Sequence, residues 1–599
     1  TAASCDWASA LAFPPASALP KACQPASMCS IFDDATDSLR SRKSASGAKC
    51  APYPASSRAT AITAAKAGLA VVIVEKADVF GGTTAFSGGV LWIPGNRHCP
   101  PGDIDRARDY LRHEAGNAYD AEAVDAYLEA GPQMVEFFER ETELAFVPTQ
   151  YPDYHPDAPG GAQVGRSILA APYDSRRLGR DLSRLRPPLS TITFMGMMFN
   201  SSNADLKHFF NVTKSLKSFA YVTRRLAAHG VEMLRFGRGT QVTSGNALAA
   251  RLAKTCLDLG IPIRTGCPAR SLTIKDGRVT GAVIEDGGAR IAITARRGVV
   301  LAAGGFAHDL ERLRQAYPHL RRGGTHLSPV PADNTGDGIT LGQSAGGQFE
   351  LRYRSAAAWM PVSAVKGPGG KVTAFPHLLD RYKPGVIAVL ADGRRFTNES
   401  DSYHDVGEAM IEACKDQTET ACWLIADHPT IRKYGLGHAK PGPMPLTGHL
   451  RGGYLVRGRD LQDLARNAGI DPDGLAATVA EYNEGAVQGE DRQFGRGTNA
   501  FNRYLADPSV TPNPCVAPVG EGPFYALKLV MGDLGTFEGL DTTVEGQVLD
   551  AAGDPIAGLF AVGNDRASIM GGTYPGAGIT LGPALTFGFV TGRHLAKAG

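Results

Sequence analysis

The residues with the clearest chemical potential lie in a glycine-rich loop near the C-terminal end of the chain. A short apolar strand, Leu559–Val562, precedes this loop, in which Tyr574 stands next to Gly576 and Gly578. Glycines let a backbone approach a flat ligand closely. A helix with Pro583 in its first turn follows, and its N-terminus can face an anion or an electron-rich ring. A loop with only a structural role would require the glycines but not a tyrosine among them. We therefore predict that the loop binds a ligand.

A second block has the pattern of a dinucleotide-binding unit. Residues 61–68 have helical spacing, and Val71–Glu75 is an apolar strand that ends in an acid. In dinucleotide folds, an acid at that strand end accepts ribose hydroxyls, which makes Glu75 a candidate cofactor ligand. A run rich in glycine and hydroxyl side chains, Gly81–Gly89, comes next.

The segment upstream of this block departs from the expected pattern. A dinucleotide fold needs a strand and then the motif GxGxxG, whose glycines should fall at positions where this chain has Pro52, Pro54 and Ser57. Half of residues 1–50 are Ala, Ser or Pro, a composition typical of disorder. We therefore predict an aberrant, disordered segment over residues 1–58.

The C-terminal segment resembles the corresponding motif of the 3-ketosteroid Δ1-dehydrogenases, FAD enzymes of the succinate dehydrogenase/fumarate reductase flavoprotein group. The resembling residues read FAVGNDRASIMGGTYPGAGITLGPALTFGFVTGRHLA, and the likeness extends over residues 60–599. It implies an enzyme that places a 1,2 double bond in ring A of a 3-ketosteroid. In that family the equivalents of Tyr574 and Gly578 bind the 3-keto oxygen.

The same resemblance implies a tyrosine base and a second phenol beside it. Tyr403 follows the run Asn398-Glu399-Ser400, as the family's base does. A tyrosine with an ordinary pKa near 10 is a poor base at neutral pH, so it needs help to lose its proton. The supporting phenol is expected at Tyr154, with Tyr151 as the alternative.

The resemblance also implies FAD as the cofactor, with weakened affinity because the usual glycine turn is absent from the sequence. The expected FAD-binding residues are Glu75, Gly81, Gly82, Thr83, Thr84, Ser87, Gly88, Gly89, Gly304, Asp337, Gly563, Asn564, Thr580 and Leu581.

The order of elements predicts an α/β fold with a discontinuous Rossmann-like FAD-binding domain. Its first part is expected over residues 59–349, with a helical insertion at about 190–235, and its second part over 532–599. An α+β catalytic and substrate domain, 350–531, is expected between them. Helical spacing predicts helices at 107–113, 121–140 and 247–259. Two Asp-Gly turns predict a β-meander over 271–295.

Composition excludes several other classes of protein. The 599 residues carry a net charge of +2, so nothing points to nucleic acid. The 10 cysteines show neither a Cys-x-x-Cys pair nor zinc spacing, which predicts free thiols, a reducing compartment and no metal. With neither a signal-peptide pattern nor an apolar run of 18 residues, we expect a cytoplasmic protein.

Residues 191–226 mix aromatic, methionine and basic side chains. We favour helices packed on the flavin domain there; the alternative is an amphipathic surface that rests on a membrane. The partners expected are a 3-ketosteroid and a quinone as electron acceptor.

Three other functions stay open at this stage. They are a steroid 4,5-dehydrogenase, a flavin reductase of the fumarate or urocanate type, and a flavin-free steroid-binding remnant. The reductases need Arg and His side chains to clamp carboxylates, and the Tyr574 loop offers a phenol instead. His155 and His404 lie next to the tyrosines, and we expect both to be solvated loop residues rather than proton relays.

Overall fold

The fold is taken from a computed structural model of the chain, which describes residues 55–199, 208–209, 212 and 215–597. Within these ranges, no helix is both long enough and apolar enough to cross a membrane. The predicted glycine-turn positions 52 and 54 lie outside the described residues, as do parts of the predicted insertion at 190–235.

Fifteen α-helices are described. They are α1 (Ala55–Lys66), α2 (Asp103–Ala115), α3 (Ala121–Glu141), α4 (Leu216–Phe236), α5 (Ser244–Asp258), α6 (Leu310–Ala316), α7 (Pro318–Arg321), α8 (Asp337–Ser344), α9 (Tyr403–Ala413), α10 (His428–Tyr434), α11 (Thr447–Arg451), α12 (Leu461–Ala468), α13 (Pro472–Ala486), α14 (Ala500–Tyr504) and α15 (Leu581–Lys597).

The described strands alternate with these helices. They are β1 (Ile73–Val74), β2 (Val90–Trp92), β3 (Phe146–Pro148), β4 (Ser167–Ala170), β5 (Tyr173–Asp174), β6 (Gln241–Val242), β7 (Ile263–Arg264), β8 (Ala269–Lys275), β9 (Arg278–Asp286), β10 (Ala289–Thr294), β11 (Val299–Leu301), β12 (Ala357–Lys366), β13 (Val372–Pro376), β14 (Val386–Val389), β15 (Ala421–Asp427), β16 (Val456–Gly458), β17 (Phe524–Thr536), β18 (Gln547–Leu549) and β19 (Pro555–Ala561).

Two short parallel strand pairs form the dinucleotide-like part of the fold. In the first pair β1 runs beside β7, with Ile73 opposite Ile263. In the second pair β11 runs beside β19, with Val299 opposite Leu559, and β18 adds an antiparallel edge. The second pair joins chain stretches more than 250 residues apart, as a discontinuous domain requires. Among the described residues, the two pairs belong to separate sheets.

A six-stranded antiparallel sheet lies in the sequence between these stretches. Its strand order is β13-β12-β17-β15-β14, and β16 pairs with β17. The α/β class and the mixed character of the inserted region therefore agree with the sequence prediction. β17 continues to Thr536, past the boundary drawn at residue 531.

Local sequence explains several of the predicted elements. Helix α3 begins where Asp120 accepts the N–H of Ala123, and it covers the predicted 121–140. The predicted meander is present as β8, β9 and β10. Asp276 and Gly277 both have positive φ, as a tight hairpin turn between β8 and β9 requires.

Helix α1 corrects the predicted boundary of the aberrant segment. It begins at Ala55, so residues 55–58 are helical rather than disordered. Its sequence is rich in alanine, which favours a helix, and Thr84 Oγ1 accepts the N–H of Ala55 at 3.0 Å. Helix α15 packs closely on α1, because Gly588 and Gly592 face its backbone without side chains.

Candidate active site and flavin cleft

Three tyrosines that are far apart in the sequence meet in the interior. The hydroxyls of Tyr154 and Tyr403 are 3.1 Å apart. The ring of Tyr574 stacks on Tyr154 with centroids 5.4 Å apart, and it meets Tyr403 edge-on at 5.1 Å. All three side chains are buried. These are the three phenols that the sequence singled out.

Tyr151, the alternative to Tyr154, lies elsewhere. Its ring packs on Tyr504 with centroids 4.6 Å apart. The structure therefore brings Tyr154, and not Tyr151, to the hydroxyl of Tyr403.

Backbone contacts hold the loop of Tyr154 against the glycine-rich C-terminal loop. The carbonyl of Pro575 accepts the N–H of Tyr154 at 2.9 Å and the hydroxyl of Tyr110 at 2.7 Å. Asp153 accepts a hydrogen bond from Trp92 and forms a buried salt bridge with Arg166. Pro575, which follows Tyr574 in the sequence, thus fixes the position of Tyr154.

Tyr403 is positioned by a buried polar scaffold. It is the first residue of α9, where Ser402 Oγ accepts the N–H of Asp405. Glu399, of the Asn398-Glu399-Ser400 run, is fully buried and forms a salt bridge with Arg395. The buried salt bridge of Glu399 therefore anchors the chain just before the start of α9.

Burial makes all three phenols hard to ionise. It is the largest cause that raises the pKa of Tyr154, Tyr403 and Tyr574 above its ordinary value. The three hydroxyls are therefore neutral hydrogen-bond donors at neutral pH. For one of these tyrosines to act as a base, it must first lose its own proton. A bound ligand that places positive charge beside it would favour that loss.

The two neighbouring histidines differ from the expectation of solvated loop residues. His404 lies in the first turn of α9, because Ser402 caps the helix before it, and tertiary packing buries its side chain. Its Nδ1 accepts the N–H of Trp359, and burial lowers its pKa, so it is neutral. His155 is partly exposed but bonds to Glu114 at 2.7 Å and Asp405 at 3.1 Å.

These two carboxylates set the charge of His155. Burial lowers its pKa, but the hydrogen bonds to Asp405 and Glu114 more than offset this and raise the pKa to about 11. His155 is therefore a cation that ties α2 to α9 beside the phenols.

Gly578 can only be glycine in this backbone. Its φ is 102°, and a Cβ there would lie 2.6 Å from both the nitrogen of Trp92 and the carbonyl oxygen of Val90. Gly578 is thus pressed against β2, three residues after Pro575, whose carbonyl accepts the N–H of Tyr154.

The residues of the Gly81–Gly89 run form a compact turn. Gly81, Gly82 and Gly89 have positive φ, and a Cβ on Gly89 would lie 2.2 Å from the backbone of Ser244. The hydroxyls of Thr83 and Thr84 accept hydrogen bonds from distant segments, from Asn334 and from the N–H of Ala55. Ser87 bonds within the run, to the carbonyl of Thr84 and to the N–H of Gly89, next to Gly88.

A cleft of about 390 Å³ opens between the end of β19 and the first turn of α15. Three predicted FAD-binding residues, Gly563, Asn564 and Thr580, line it, and α15 begins at Leu581 beside it. Thr536 Oγ1 and Arg566 Nη1 also belong to lining residues, and both are buried without a hydrogen-bond partner. Such orphaned polar atoms fit a ligand that carries oxygen and nitrogen atoms.

A second cavity of about 320 Å³ lies at the carboxyl end of β11. Asp337 lines it and forms a salt bridge with Lys76, the residue after Glu75. Glu75 is fully buried and accepts the N–H of Ala77 at 3.0 Å. Gly304, with φ of 90°, follows β11 and packs on Asn334. Asp337 is thus the predicted FAD-binding residue that lines this second cavity, whereas Glu75 and Gly304 are not among its lining residues.

Sequence reasoning missed several residues of this region. Phe501 packs on Tyr154 with centroids 4.5 Å apart, and Phe537 lies 6.3 Å from Tyr574. Arg566 lines the cleft. Phe501 and Phe537 belong to no recognisable pattern in the sequence. Arg566 lies within the C-terminal segment that carries the family resemblance, but only the fold shows that it lines a cleft.

Comparisons with known proteins show the family to which the chain belongs. The family described as "FAD binding domain" matches residues 57–581. The 4-oxocyclohex-2-ene-1-carboxylate 5-dehydrogenase of Sinomonas cyclohexanicum is 41% identical, over 91% of this chain and 92% of its own length. The 3-oxosteroid 1-dehydrogenase of Mycolicibacterium smegmatis is 35% identical, over 90% of this chain and 94% of its own.

A solved structure shows the same fold. The 3-ketosteroid Δ1-dehydrogenase of Sterolibacterium denitrificans, in complex with 1,4-androstadiene-3,17-dione, aligns with a TM-score of 0.83 and 34% identity, covering 92% of this chain and 98% of that one. The fold and cleft define an FAD-dependent oxidoreductase. Within that class, the chain belongs to the 3-ketosteroid Δ1-dehydrogenase family.

Proposed function

We propose that this protein oxidises 3-ketosteroids, forming the C1–C2 double bond of ring A with FAD as the hydride acceptor. The observation that carries the proposal is the buried cluster of Tyr154, Tyr403 and Tyr574. The relative from Sterolibacterium denitrificans was solved with a steroid that has this double bond.

The roles of the residues follow from what the reaction needs. Removing two hydrogens beside a ketone requires a polarised carbonyl, a base for one proton and an acceptor for a hydride. The hydroxyl of Tyr574 and the N–H of Gly578 hold the keto oxygen, a pair of donors each worth about 3 kcal/mol to the transition state. Bound FAD supplies the hydride acceptor.

Tyr403 takes the proton from C2 in this proposal. The hydroxyl of Tyr154 is 3.1 Å away and stabilises the phenolate of Tyr403 by donating a hydrogen bond to it. Only the phenolate of Tyr403 can accept this proton, so the phenol first releases its own proton to water. Because burial raises the pKa of Tyr403, this ionisation adds to the barrier to turnover.

A smaller substrate is the second candidate. The relative that is 41% identical is named for a monocyclic oxo acid, which carries a carboxylate. The rings of Phe501 and Phe537 line the phenol cluster, and the nearby cation His155 is already held by two carboxylates. These surroundings favour an apolar steroid.

A substrate comparison tests the proposal. We expect kcat/KM for a 4-ene-3-ketosteroid to exceed that for 4-oxocyclohex-2-ene-1-carboxylate by orders of magnitude, with a 1,4-dien-3-one as the product. A higher kcat/KM for the oxo acid would establish the second candidate instead. A 4,5-unsaturated product from a saturated 3-ketosteroid would assign the protein to the other steroid position.

Helix α4 supports peripheral contact with a membrane. Its side chains Leu216 and Leu234 are 88% and 90% exposed, and Phe219 and Val231 are also exposed on this helix. Exposed basic residues, Lys217, Arg224 and Arg235, accompany them. Apolar and basic side chains on one exposed helix suit the surface of an anionic bilayer.

A membrane location would bring the enzyme to lipid-dissolved steroids and to a quinone as electron acceptor. The six described cysteines are free thiols, which suits the cytoplasmic side. We expect the protein to sediment with vesicles of anionic phospholipid and the variant Leu216→Asp/Leu234→Asp to stay in the supernatant. Val487→Asp, at another exposed apolar residue, is the control. Equal sedimentation of all three proteins would refute the contact.

A further inference from the structure

Arg566 is a buried cation that forms no salt bridge with any described residue. Its side chain is 6% exposed, and its guanidinium carbon lies 3.6 Å from the ring centroid of Phe587. Nη1 has no hydrogen-bond partner. The carboxylates of Asp120 and Glu545 attract Arg566 only through space, without a salt bridge. Burial lowers its pKa to about 10, so it keeps its charge at neutral pH. A buried charge in this state is costly unless something binds to it.

The adjacent acid does not neutralise it. Asp565 is fully buried, and its carboxylate accepts the N–H groups of Ala303 and Gly305 instead. The two side chains therefore serve different regions: Asp565 closes the turn after β11, and Arg566 is left to line the cleft.

Arg566 shares its cleft with the N-terminal end of helix α15. The same cleft is lined by Thr580 and Pro583 of the N-terminal end of α15 and by Asn564 at the end of β19. A helix N-terminus carries partial positive charge. The guanidinium and this helix end thus place two sources of positive potential on one small cavity.

We propose that Arg566 is the residue of this cleft that stabilises the negative charge arriving with the hydride. In the overall reaction the substrate loses a hydride and a proton, and the proton goes to Tyr403. The hydride carries two electrons to the flavin, which gains one negative charge. A buried cation in the cleft favours that charged state over the neutral one, because the surrounding dielectric is low. Arg566 therefore raises the reduction potential of the bound flavin.

This proposal rests on the proposed function in one respect: both require FAD to bind in this cleft. Sulfite tests the role of Arg566 independently of steroid oxidation, because it adds to oxidised flavin and gives an anionic adduct without any steroid. The variants are Arg566→Met, which removes the charge, and Arg566→Lys, which keeps it. Arg593→Met is the matched control, since Arg593 stacks on Phe589 of the same helix but is exposed.

We expect Arg566→Met to raise the Kd for sulfite by about tenfold or more and to lower the flavin potential, because a nearby charge is lost. Arg566→Lys and Arg593→Met should stay near the parent values. If Arg566→Met cannot hold flavin, retention of flavin and of sulfite affinity in Arg566→Lys supports the role of the charge. Unchanged sulfite binding and potential in flavin-loaded Arg566→Met would overturn the proposal. So would an Arg566→Lys variant as impaired as Arg566→Met. Normal sulfite binding without steroid turnover would fault the proposed function alone.

Discussion

The proposed chemistry depends on three single residues, the phenols that burial keeps neutral: Tyr154, Tyr403 and Tyr574. Tyr574→Phe removes one donor to the keto oxygen and leaves the ring stack with Tyr154 in place. We expect turnover of a 4-ene-3-ketosteroid to fall about 10²- to 10³-fold, as for the loss of an oxyanion donor, with flavin content unchanged. Steady-state assays measure this, and Tyr151→Phe, whose ring packs on Tyr504, is the control. A parent-like rate for Tyr574→Phe would remove this residue from the site.

Arg58 is a second residue where burial and charge conflict. Its side chain is fully buried in α1, and none of its three guanidinium nitrogens has a hydrogen-bond partner. It lies over the ring of Phe80, and burial lowers its pKa. Cys256 and Glu75 attract this cation only through space. Because a buried charge without hydrogen bonds is costly, replacing it by an apolar chain of similar length is expected to stabilise the fold.

The thermal midpoint of Arg58→Met should therefore lie above that of the parent. Lys66→Met, at the exposed end of the same helix, is the control and should change little. A lower midpoint for Arg58→Met would mean that the guanidinium has a stabilising partner in solution.

At the scale of elements, His155 links the loop of Tyr154 to α2 and α9. Its pKa is raised from 6.5 to about 11, chiefly by its bonds to Asp405 and Glu114 acting against burial. The imidazolium is thus favoured by folding, so its contribution to stability is complete below about pH 6.5 and is lost as pH rises towards 11.

His155→Gln keeps the polar contact but not the charge. We expect the parent to be more stable than this variant at pH values below about 6.5, and the difference to shrink steadily between about 6.5 and 11. Denaturant unfolding of both proteins across that range measures it. A difference that stays constant with pH would show that the His155 contact has no electrostatic component.

Elements with strong local signals were predictable from the sequence. The meander followed from Asp276-Gly277 and its partner turn, and α3 from its spacing and cap. The meeting of Tyr154, Tyr403 and Tyr574 has no local signal, since hundreds of residues separate them, and only the resemblance to a family suggested it. His404 was misjudged because its burial comes from tertiary packing around α9, which a sequence pattern does not show.

At the scale of the whole molecule, the dinucleotide-binding part is divided. The parallel pairs β1–β7 and β11–β19 belong to separate sheets within the described residues. In the sequence, Pro52, Pro54 and Ser57 stand where glycines would bring a backbone to the pyrophosphate. Pro lacks an N–H and cannot adopt the glycine conformations.

We therefore expect the protein to purify with less than one FAD per chain. Replacing residues 45–57 by a strand followed by Gly-x-Gly-x-x-Gly should raise flavin content and activity together, because both need the same phosphate contacts. The ratio of flavin to protein absorbance measures this. Full occupancy in the unmodified chain would contradict it and would mean that the contacts of Glu75, the Gly82 turn and α15 suffice.

We expect this phenol cluster, next to bound FAD, to dehydrogenate a steroid ketone. Anaerobic mixing of the flavin-loaded protein with a 4-ene-3-ketosteroid tests it most directly, with the visible flavin absorbance and the steroid product followed in one turnover. We predict loss of that absorbance with one 1,4-dien-3-one formed per flavin. Tyr403→Phe should bind the steroid but leave the flavin oxidised, because the lost group acts only in the transition state. Flavin that stays oxidised in the parent protein, or is reduced at the parent rate in Tyr403→Phe, would contradict the account.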